Sequence, residues 1–504
     1  MPKLIRIILY ALIFISFLFC LWLPLHNELI IQTDIARDFL LLEETVQKRI
    51  PPLIGAHSGI SGIYHGPLWI DINLPAFILG GGNPATVGLF WVFLYAIALI
   101  FVFYTAKKMF NLEIALFSTA LYAMISVQEI NNLSNPYGAL MLFPLFFYFF
   151  YRYIMNGKFT TLLLAIFILG LIIQFQMAFG IPILILAFLY LIVFLVKKRR
   201  LIHLSSLFMI FITQSTSIFF ELRHNFLQTR SLISYLNSQD RNFLSRINPN
   251  SILNQIIKSY TEGLIFFTKN NLFLNLIFLI SLIISLIYIL RKKNLPNKLA
   301  YKLFIYFYLG YWFLIMFYHG QVWIYYHWAF IPVLIILFCS SYQIINKKIF
   351  ILLFSLFISI LLIQQINRFV ERNNYMGVSQ ASWQFFKSSV DKVFKDARSD
   401  FGYYVVCDDQ LGYQGKYAFH YMQKFYQNKA FAYQKKDPTY VYIVTSSDPG
   451  FNPGNFVKQR IKIASDPVKI MKFKNGIQIN KYQLAGSDLN TPSDPNLLNS
   501  LIFR

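Results

Sequence analysis

Charge is what this sequence has least of. Of its 504 residues only 13% are Asp, Glu, Lys or Arg, while 57% are hydrophobic; a soluble globular domain carries about 25% charged residues. A water-soluble fold of this size could not hide so much apolar surface, so that class is excluded. Acids are the scarcer sign: 22 Asp and Glu stand against 45 Lys and Arg, a net charge of +23. Such an excess first suggests nucleic acid. The basic residues do not gather on one patch, however; they punctuate the apolar segments as topology signals do, and nucleic acid is rejected as a partner. Cysteine is nearly missing. Cys20 and Cys339 fall inside apolar stretches and Cys407 lies alone in a polar tail, so there is no disulfide framework and no metal-ligand spacing. The short alternating segments of an outer-membrane barrel are missing as well. No small-residue cleavage site follows the first apolar run, which therefore reads as an uncleaved span and not a signal peptide.

What is present is a series of apolar runs of membrane-crossing length. In hydrocarbon every backbone polar group must be satisfied internally, so such runs are helices. About eleven spans are expected, near 5–25, 86–106, 111–127, 138–154, 160–176, 179–196, 202–220, 271–290, 302–318, 326–343 and 349–366. The loops between them alternate in charge. One set holds Lys107 and Lys108, Arg152 and Lys158, Lys197 to Arg200, Arg291 to Lys293 with Lys298, and Lys347 with Lys348, and has Glu113 as its acid. The other set comprises the long segments 26–85 and 221–270 and nearly all the acids outside the tail. Cytoplasmic loops carry the Lys and Arg excess. The amino terminus, with Lys3 and Arg6, is thus expected on the cytoplasmic side of the plasma (inner) membrane, and an odd span count puts the carboxyl tail outside. The apolar run 67–79 is too short to span and reads as an interfacial or re-entrant helix.

The tail, 367–504, is different material. Tyr- and Val-rich runs at 402–407 and 440–445 read as buried strands, 412–429 has a helical pattern, and 461–464 and 477–484 read as further strands. The fold class expected is therefore an all-α polytopic membrane protein over 1–366 with a small C-terminal extracytoplasmic α/β domain over 367–504.

Acids near a bilayer call for an explanation. The first external loop carries Asp34, Arg37 and Asp38, then Phe39 to Leu42, then Glu43, Glu44, Lys48 and Arg49. This is the pattern of an amphipathic helix lying on the membrane, with Asp34 and Asp38 on one face. Asp38, Glu43 and Glu44 read as ordinary solvated charges. Further on, Tyr64-His65-Gly66-Pro67-Leu68-Trp69 marks a turn before the short apolar helix. The cluster Glu221-Leu222-Arg223-His224 directly follows a span. It is either a clamp for phosphate oxygens, the preferred use of Arg, or a self-paired interfacial cap. A hairpin from His319 to His327 is rich in Trp and Tyr, as an interfacial belt is. Gln174 and Gln176 read as simple polarity at a span end.

Taken together, these features resemble the polyprenyl-phosphate-dependent GT-C glycosyltransferases. The nearest group is the bacterial family similar to the dolichyl-phosphate-mannose protein mannosyltransferases, which includes the aminoarabinose transferases of lipid A. The resemblance covers roughly residues 1–345. It rests on Asp34 after the first span, Tyr64-His65-Gly66-Pro67-Leu68 before the interfacial helix, Asn135-Pro136 in the second external loop, Glu221-Leu222-Arg223-His224, and Tyr326 with Pro332. It implies a donor sugar on a polyprenyl phosphate, transferred with inversion to a lipid, glycan or protein acceptor at the outer face. Carried over, Asp34 is the general base for the acceptor hydroxyl. Arg223 and His224, and more weakly Arg37, stabilise the leaving lipid phosphate. Asp38, His65, Asn135, Glu221, Tyr326 and His327 join the substrate-binding set. Two departures stand out. His65-Gly66 occupies the place where many relatives have Lys before Pro-Pro. The second acid of the second external loop is replaced by a choice between Glu129 and the amides Asn132 and Asn135. With no metal triad in the sequence, no metal and no cofactor beyond the donor is expected.

Three rivals remain on the sequence alone. A transporter would place ionisable residues within the spans, whereas these gather on one side. A non-catalytic scaffold displaying the tail would not need Asp34 or Arg223. A lipid-linked glycan polymerase or ligase would use the same side and a similar donor.

Overall fold

The computed structural model describes residues 1–127, 129–238, 297–315, 322–407, 412–436, 440–445 and 452–498, with scattered residues between 253 and 287. Half of the expected span at 271–290, most of the external segment beyond 238, Arg291 to Lys293, and His319 to Gln321 lie outside the described residues. The chain forms two compact units. The first comprises residues 1–20, 51–72 and 92–366, and the second 21–50, 73–91 and 367–504.

The helices are α1 (Lys3–Leu25), α2 (Thr33–Lys48), α3 (Leu68–Leu79), α4 (Pro84–Met109), α5 (Leu112–Ser126), α6 (Pro136–Asn156), α7 (Phe159–Phe175) and α8 (Met177–Lys198). They continue with α9 (Phe208–Thr213), α10 (Ser215–Arg223), α11 (Leu227–Ser238), α12 (Lys298–Ile315), α13 (Ile331–Ser340) and α14 (Lys347–Tyr375). Among the described residues, α1, α4, α6, α8 and α14 are long and apolar enough to cross a membrane, and a bent pair formed by 201–213 and 215–223 would be a sixth. The chain is a multi-pass membrane protein. The short run after Pro67 is the twelve-residue helix α3.

Lipid removes the hydrophobic drive between helices, so helix association there rests on close packing. In the first unit this packing is aromatic. The ring of Phe330 meets those of Phe143, Phe179 and Tyr311 edge-on at 5.2, 5.0 and 5.3 Å, the geometry favoured by the ring quadrupole. Gly138 lets α6 and α7 close together, since a Cβ there would lie 2.3 Å from the ring of Phe175.

The segment expected as a single span at 202–220 is broken. It is a 3-10 stretch (Leu201–Leu207), then α9, then α10, with a bend of 60°. The reason is the polar run Thr213-Gln214-Ser215-Thr216. Gln214 donates to the carbonyl of Gly170 at 2.8 Å, and Gln174 donates to the carbonyl of Thr213 at 2.7 Å. The Gln174 side chain thus takes over the Thr213 carbonyl at the break.

In the second unit, the tail is built on α15 (Trp383–Asp396), α16 (Tyr413–Gln423) and a five-stranded sheet. Its strands are β1 (Phe401–Val406), β2 (Ala432–Tyr433), β3 (Tyr440–Thr445), β4 (Lys469–Lys472) and β5 (Gln478–Gln483), in the order β2-β1-β3-β5-β4. β1 is parallel to β2 and β3, while β5 is antiparallel to β3 and β4. Both faces of the central strands are covered, which is why β1 and β3 read as continuous apolar runs. Tyr404, Val406, Val441 and Ile443 face Val457, Ile461 and Ile463. On the other face Tyr403 stacks on Phe419 of α16 at 4.1 Å, and Phe401 meets Phe394 of α15 at 5.2 Å. The strand expected at 461–464 is not one: Val457–Ile461 is a π-helical turn whose apolar residues plug the sheet. Helix α15, capped by Ser382 accepting from the Phe385 amide, gave no apolar run to read because its buried positions alternate with Lys and Asp.

Segment 26–50 belongs to this same unit. Glu28, 3% exposed, accepts from the amides of Leu29, Gly377 and Gln384 at 2.9, 3.2 and 3.3 Å and from the Ser382 hydroxyl at 2.5 Å. A buried carboxylate is tolerable when donors satisfy it in this way.

Candidate active site

Helix α2 carries the candidate base. Its apolar face does not lie on lipid as the pattern suggests. Ile35, Ala36, Phe39, Leu40, Leu41 and Leu42 are all buried within protein, with Phe39 stacked at 5.2 Å on Tyr417 of α16. Asp34 sits in the first turn with its carboxylate 60% exposed, 2.7 Å from Nη1 of Arg37. Asp38 and Glu43 are not the solvated charges expected. Asp38 is buried and holds the Arg37 guanidinium through Nε and Nη2 at 3.0 and 2.8 Å. Glu43, also buried, faces His420 at 3.0 Å and Lys424 at 3.5 Å on the α16 side. Glu44 pairs with Lys48 on the helix surface. Burial opposes the charge on Arg37, but Asp38 and Asp34 outweigh it and hold its pKa above the ordinary value. The result is one fixed cation presenting one accessible carboxylate.

The remaining candidates fall in the first unit, around the break between α7 and α8. Gln176 leaves the helical region there, with φ −149° and ψ 92°. His65 is buried, and its Nδ1 lies 3.4 Å from the amide of Met177. Gly66 donates to the carbonyl of Gln174 at 3.0 Å. A Cβ at that point would fall 1.7 Å from the Gln174 amide oxygen and force that side chain to move. Asn135 donates to the carbonyl of Phe175 at 2.7 Å. The hydroxyl of Tyr311 reaches the carbonyls of Ala178 at 3.4 Å and Tyr326 at 3.0 Å, which brings Tyr326 and His327, both buried, to the same break. Gln174 and Gln176 are therefore not end polarity; both are buried, at 3% and 1% exposure.

The Glu221–His224 cluster resolves into separate parts. Glu221 caps α11: its carboxylate accepts from the amides of Gln228 and Thr229 at 2.8 and 3.0 Å and from the Thr229 hydroxyl at 2.6 Å. These bonds make it a helix cap. His224 stacks on Phe220 at 4.1 Å with Nδ1 2.9 Å from the Phe220 carbonyl. Arg223 is exposed, and among the described residues no acid or hydrogen-bond acceptor engages its side chain. The cluster is thus not self-paired. Glu221→Ala is expected to destabilise by about 0.5–2 kcal/mol, as the loss of a helix cap does, measured as a lower thermal midpoint with any activity loss following stability. The same cap ties α11 to the interfacial motif, since Gln228 accepts from the amide of Tyr64 at 2.9 Å.

One acid escaped the sequence reading. Asp71 lies in the otherwise apolar α3, half-buried, and among the described residues no cation or donor meets its carboxylate. An acid in such a run is the available signal. Burial pushes its pKa from 3.8 up to about 6. The folded chain therefore holds this proton more tightly than the unfolded one. The resulting stability is present at acid pH and is lost as pH rises from about 4 through about 6. Asp71→Asn is expected to flatten that part of a melting-temperature profile against pH. Among the described residues no three His, Cys, Asp or Glu side chains gather as metal ligands.

The fold, with its apolar helices of membrane-crossing length and a small α/β tail, is GT-C-like. The crystal structure of ArnT from Cupriavidus metallidurans in the apo state is similar at TM-score 0.61 and 8% identity, over 94% of this chain and 97% of that one. The same protein bound to undecaprenyl phosphate is similar at TM-score 0.56 and 10% identity, over 95% and 98%. The crystal structure of the Archaeoglobus fulgidus oligosaccharyltransferase complexed with Zn and sulfate gives TM-score 0.46 and 12% identity, over 86% of this chain and 68% of that one. No protein-family model matches the chain, and no curated protein matches it in sequence.

Proposed function

We propose that this chain is a membrane glycosyltransferase of the plasma (inner) membrane that moves a sugar from a polyprenyl-phosphate donor to an acceptor hydroxyl on the extracytoplasmic side, with inversion. The observation that carries the reading is the end-to-end fold likeness to ArnT, a protein also solved with undecaprenyl phosphate, which spans 95% of this chain and 98% of that one. The charge alternation of the loops supports an amino terminus inside and a tail outside.

In this reading Asp34 removes the proton from the acceptor hydroxyl as its oxygen bonds to the anomeric carbon. The bond from that carbon to the lipid phosphate breaks, and its electron pair leaves with the phosphate. Only interactions stronger in the transition state accelerate such a step. Arg223, a guanidinium without an acid partner among the described residues, meets that requirement for the phosphate charge, with His224 beside it. Arg37 is already committed to Asp34 and Asp38, so its role is to orient the base. His65, Asn135, Tyr326 and His327 bind substrate around the α7–α8 break, and no metal takes part. The test is sugar transfer or hydrolysis by the purified protein in lipid, with a panel of polyprenyl-phosphate sugars. Release of lipid phosphate supports the reading; absence of both turnover and donor binding across the panel overturns it.

A further inference from the structure

Where the Asp34 carboxylate stands depends on what holds the first turn of α2. The N-cap residue, Gln32, makes no side-chain bond to the helix among the described residues. Helix α2 belongs to the same compact unit as the tail, and the tail holds it from several sides. Just before the helix, Ile30 forms a β-bridge with Ser382, and the amide of Ile31 donates to the Ala381 carbonyl at 2.7 Å. Along its length α2 lies against α16, through Phe39 on Tyr417 and Glu43 facing His420. At the first turn itself, Nε2 of Gln414 donates to the Thr33 hydroxyl at 3.3 Å. Thr33 is the residue immediately before Asp34. Tyr413, next to Gln414, lies near enough to Arg37 to add to the rise in its pKa.

The start of α16 is firmly seated. Gly412 takes φ +58°, and a Cβ there would fall 2.8 Å from the Cβ of Val405 on β1. A Cβ at Gly415 would fall 2.8 Å from Cγ2 of the same valine. These glycines let the first turn of α16 press against the end of β1. Gln414 thus reaches Thr33 from a helix fixed to the sheet, and a reacting group is placed best by supports that are themselves rigid.

We propose that Gln414 is a positioning residue for the reaction: from the tail it fixes the first turn of α2 through Thr33, and so sets where the Asp34 carboxylate meets the hydroxyl it deprotonates. The proposal rests on the reading of Asp34 as the base. It makes the tail part of the catalytic apparatus in place of a separately displayed module.

The test is single-turnover release of undecaprenyl phosphate, with water as acceptor, by the full-length protein in lipid nanodiscs. The probes are undecaprenyl phosphate bearing glucose, mannose or an amino sugar, and affinity for the bare lipid phosphate is measured beside them. Gln414→Ala is expected to lower the rate by about tenfold or more, since misplacing a reacting group by about 1 Å costs up to about 10²-fold. Lipid affinity and thermal midpoint should hold, because only one neutral bond at a half-buried side chain is lost. Gln414→Glu can accept from the Thr33 hydroxyl and Gln414→Lys can donate to it, so both should recover part of the rate. They should also move the acid limb of the rate against pH in opposite directions, by about half a pH unit. A carboxylate near the base disfavours loss of its proton and moves the limb to higher pH; an ammonium moves it to lower pH. The neighbouring charges, Arg37 and Asp38 on α2 and Lys416 on α16, are the same in every variant. Asn455→Glu, beside the turn that covers the other face of the sheet, should leave rate and limb unchanged. A full rate in Gln414→Ala overturns the proposal whatever the limb does. So does a rate loss that follows a lowered midpoint while the limb stays put in the Glu and Lys variants, which marks a structural contact only. A wild-type rate in Asp34→Asn overturns the base, and this proposal with it, while leaving the glycosyltransferase reading in place. A wild type that neither binds nor cleaves any of the lipids overturns that reading as well.

Discussion

Asp34→Asn is expected to lower sugar transfer by about 10²–10⁴-fold, the usual contribution of a positioned general base, with little change in thermal midpoint. The substitution keeps the shape of the side chain and removes its ability to take a proton. Stability should survive because the carboxylate is 60% exposed, and an exposed ion pair contributes about 0–1 kcal/mol. Asp38→Asn makes the contrast. That side chain is 6% exposed as a residue and holds Arg37 through two nitrogens, so its loss weakens a charged hydrogen-bonded pair that contributes about 1.5–3 kcal/mol. Single-turnover transfer, read beside thermal melting, separates the two. Asp34→Asn should be slow and stable, and Asp38→Asn should be destabilised. An active Asp34→Asn would move the base elsewhere, and Asp38 would be the next carboxylate to test.

Arg223→Gln is expected to cost about 10²–10³-fold in the rate of transfer, the scale seen when one donor to a developing anion is removed. Folding should be undisturbed, since the side chain is exposed and has no partner among the described residues to leave stranded. Arg223→Lys should recover part of the rate, because a point charge still attracts phosphate but cannot engage two oxygens in parallel. The loss should fall on the turnover of bound donor more than on donor affinity, since a charge that develops only in the transition state is the target. An equal loss of affinity for donor and for bare lipid phosphate would instead assign Arg223 to ground-state phosphate binding. Wild-type rates in both variants would remove it from the mechanism.

The membrane architecture was legible because its signal is compositional. Runs such as 86–106 and 179–196 announce helices by length and hydropathy alone, and α4 and α8 lie over them. β1 and β3 were legible for the same reason: strands buried on both faces become apolar runs. β5 showed instead as a mixed run in which Ile479 and Tyr482 are the buried positions. The misreadings share a cause as well. Asp38, Glu43, Gln174 and Gln176 read as surface polarity, because a residue's type does not tell what covers it. Each is buried. The stretch 461–464 has the residues of a strand but plugs the sheet from a π-helical turn at Val457–Ile461. That Glu221 takes three donors on Gln228 and Thr229 was likewise not legible, since those partners come from the next helix.

By itself the sequence determined the solvent in which this chain folds, the helical character of its body, the α/β character of its tail and the few places where charge interrupts apolar runs. These follow from composition and local periodicity, which neighbours in the fold cannot alter. Only the tertiary structure decided which of those charges are spent. It gave Glu221 to a helix cap, Asp38 to Arg37 and Glu43 to α16, and it left Arg223 without an acid partner among the described residues and the Asp34 carboxylate exposed beside Arg37. It also left Gln176 and His327 buried without partners among the described residues. The reason is that a polar group's chemistry depends on the partners and solvent around it, and those arrive from residues far away in the chain.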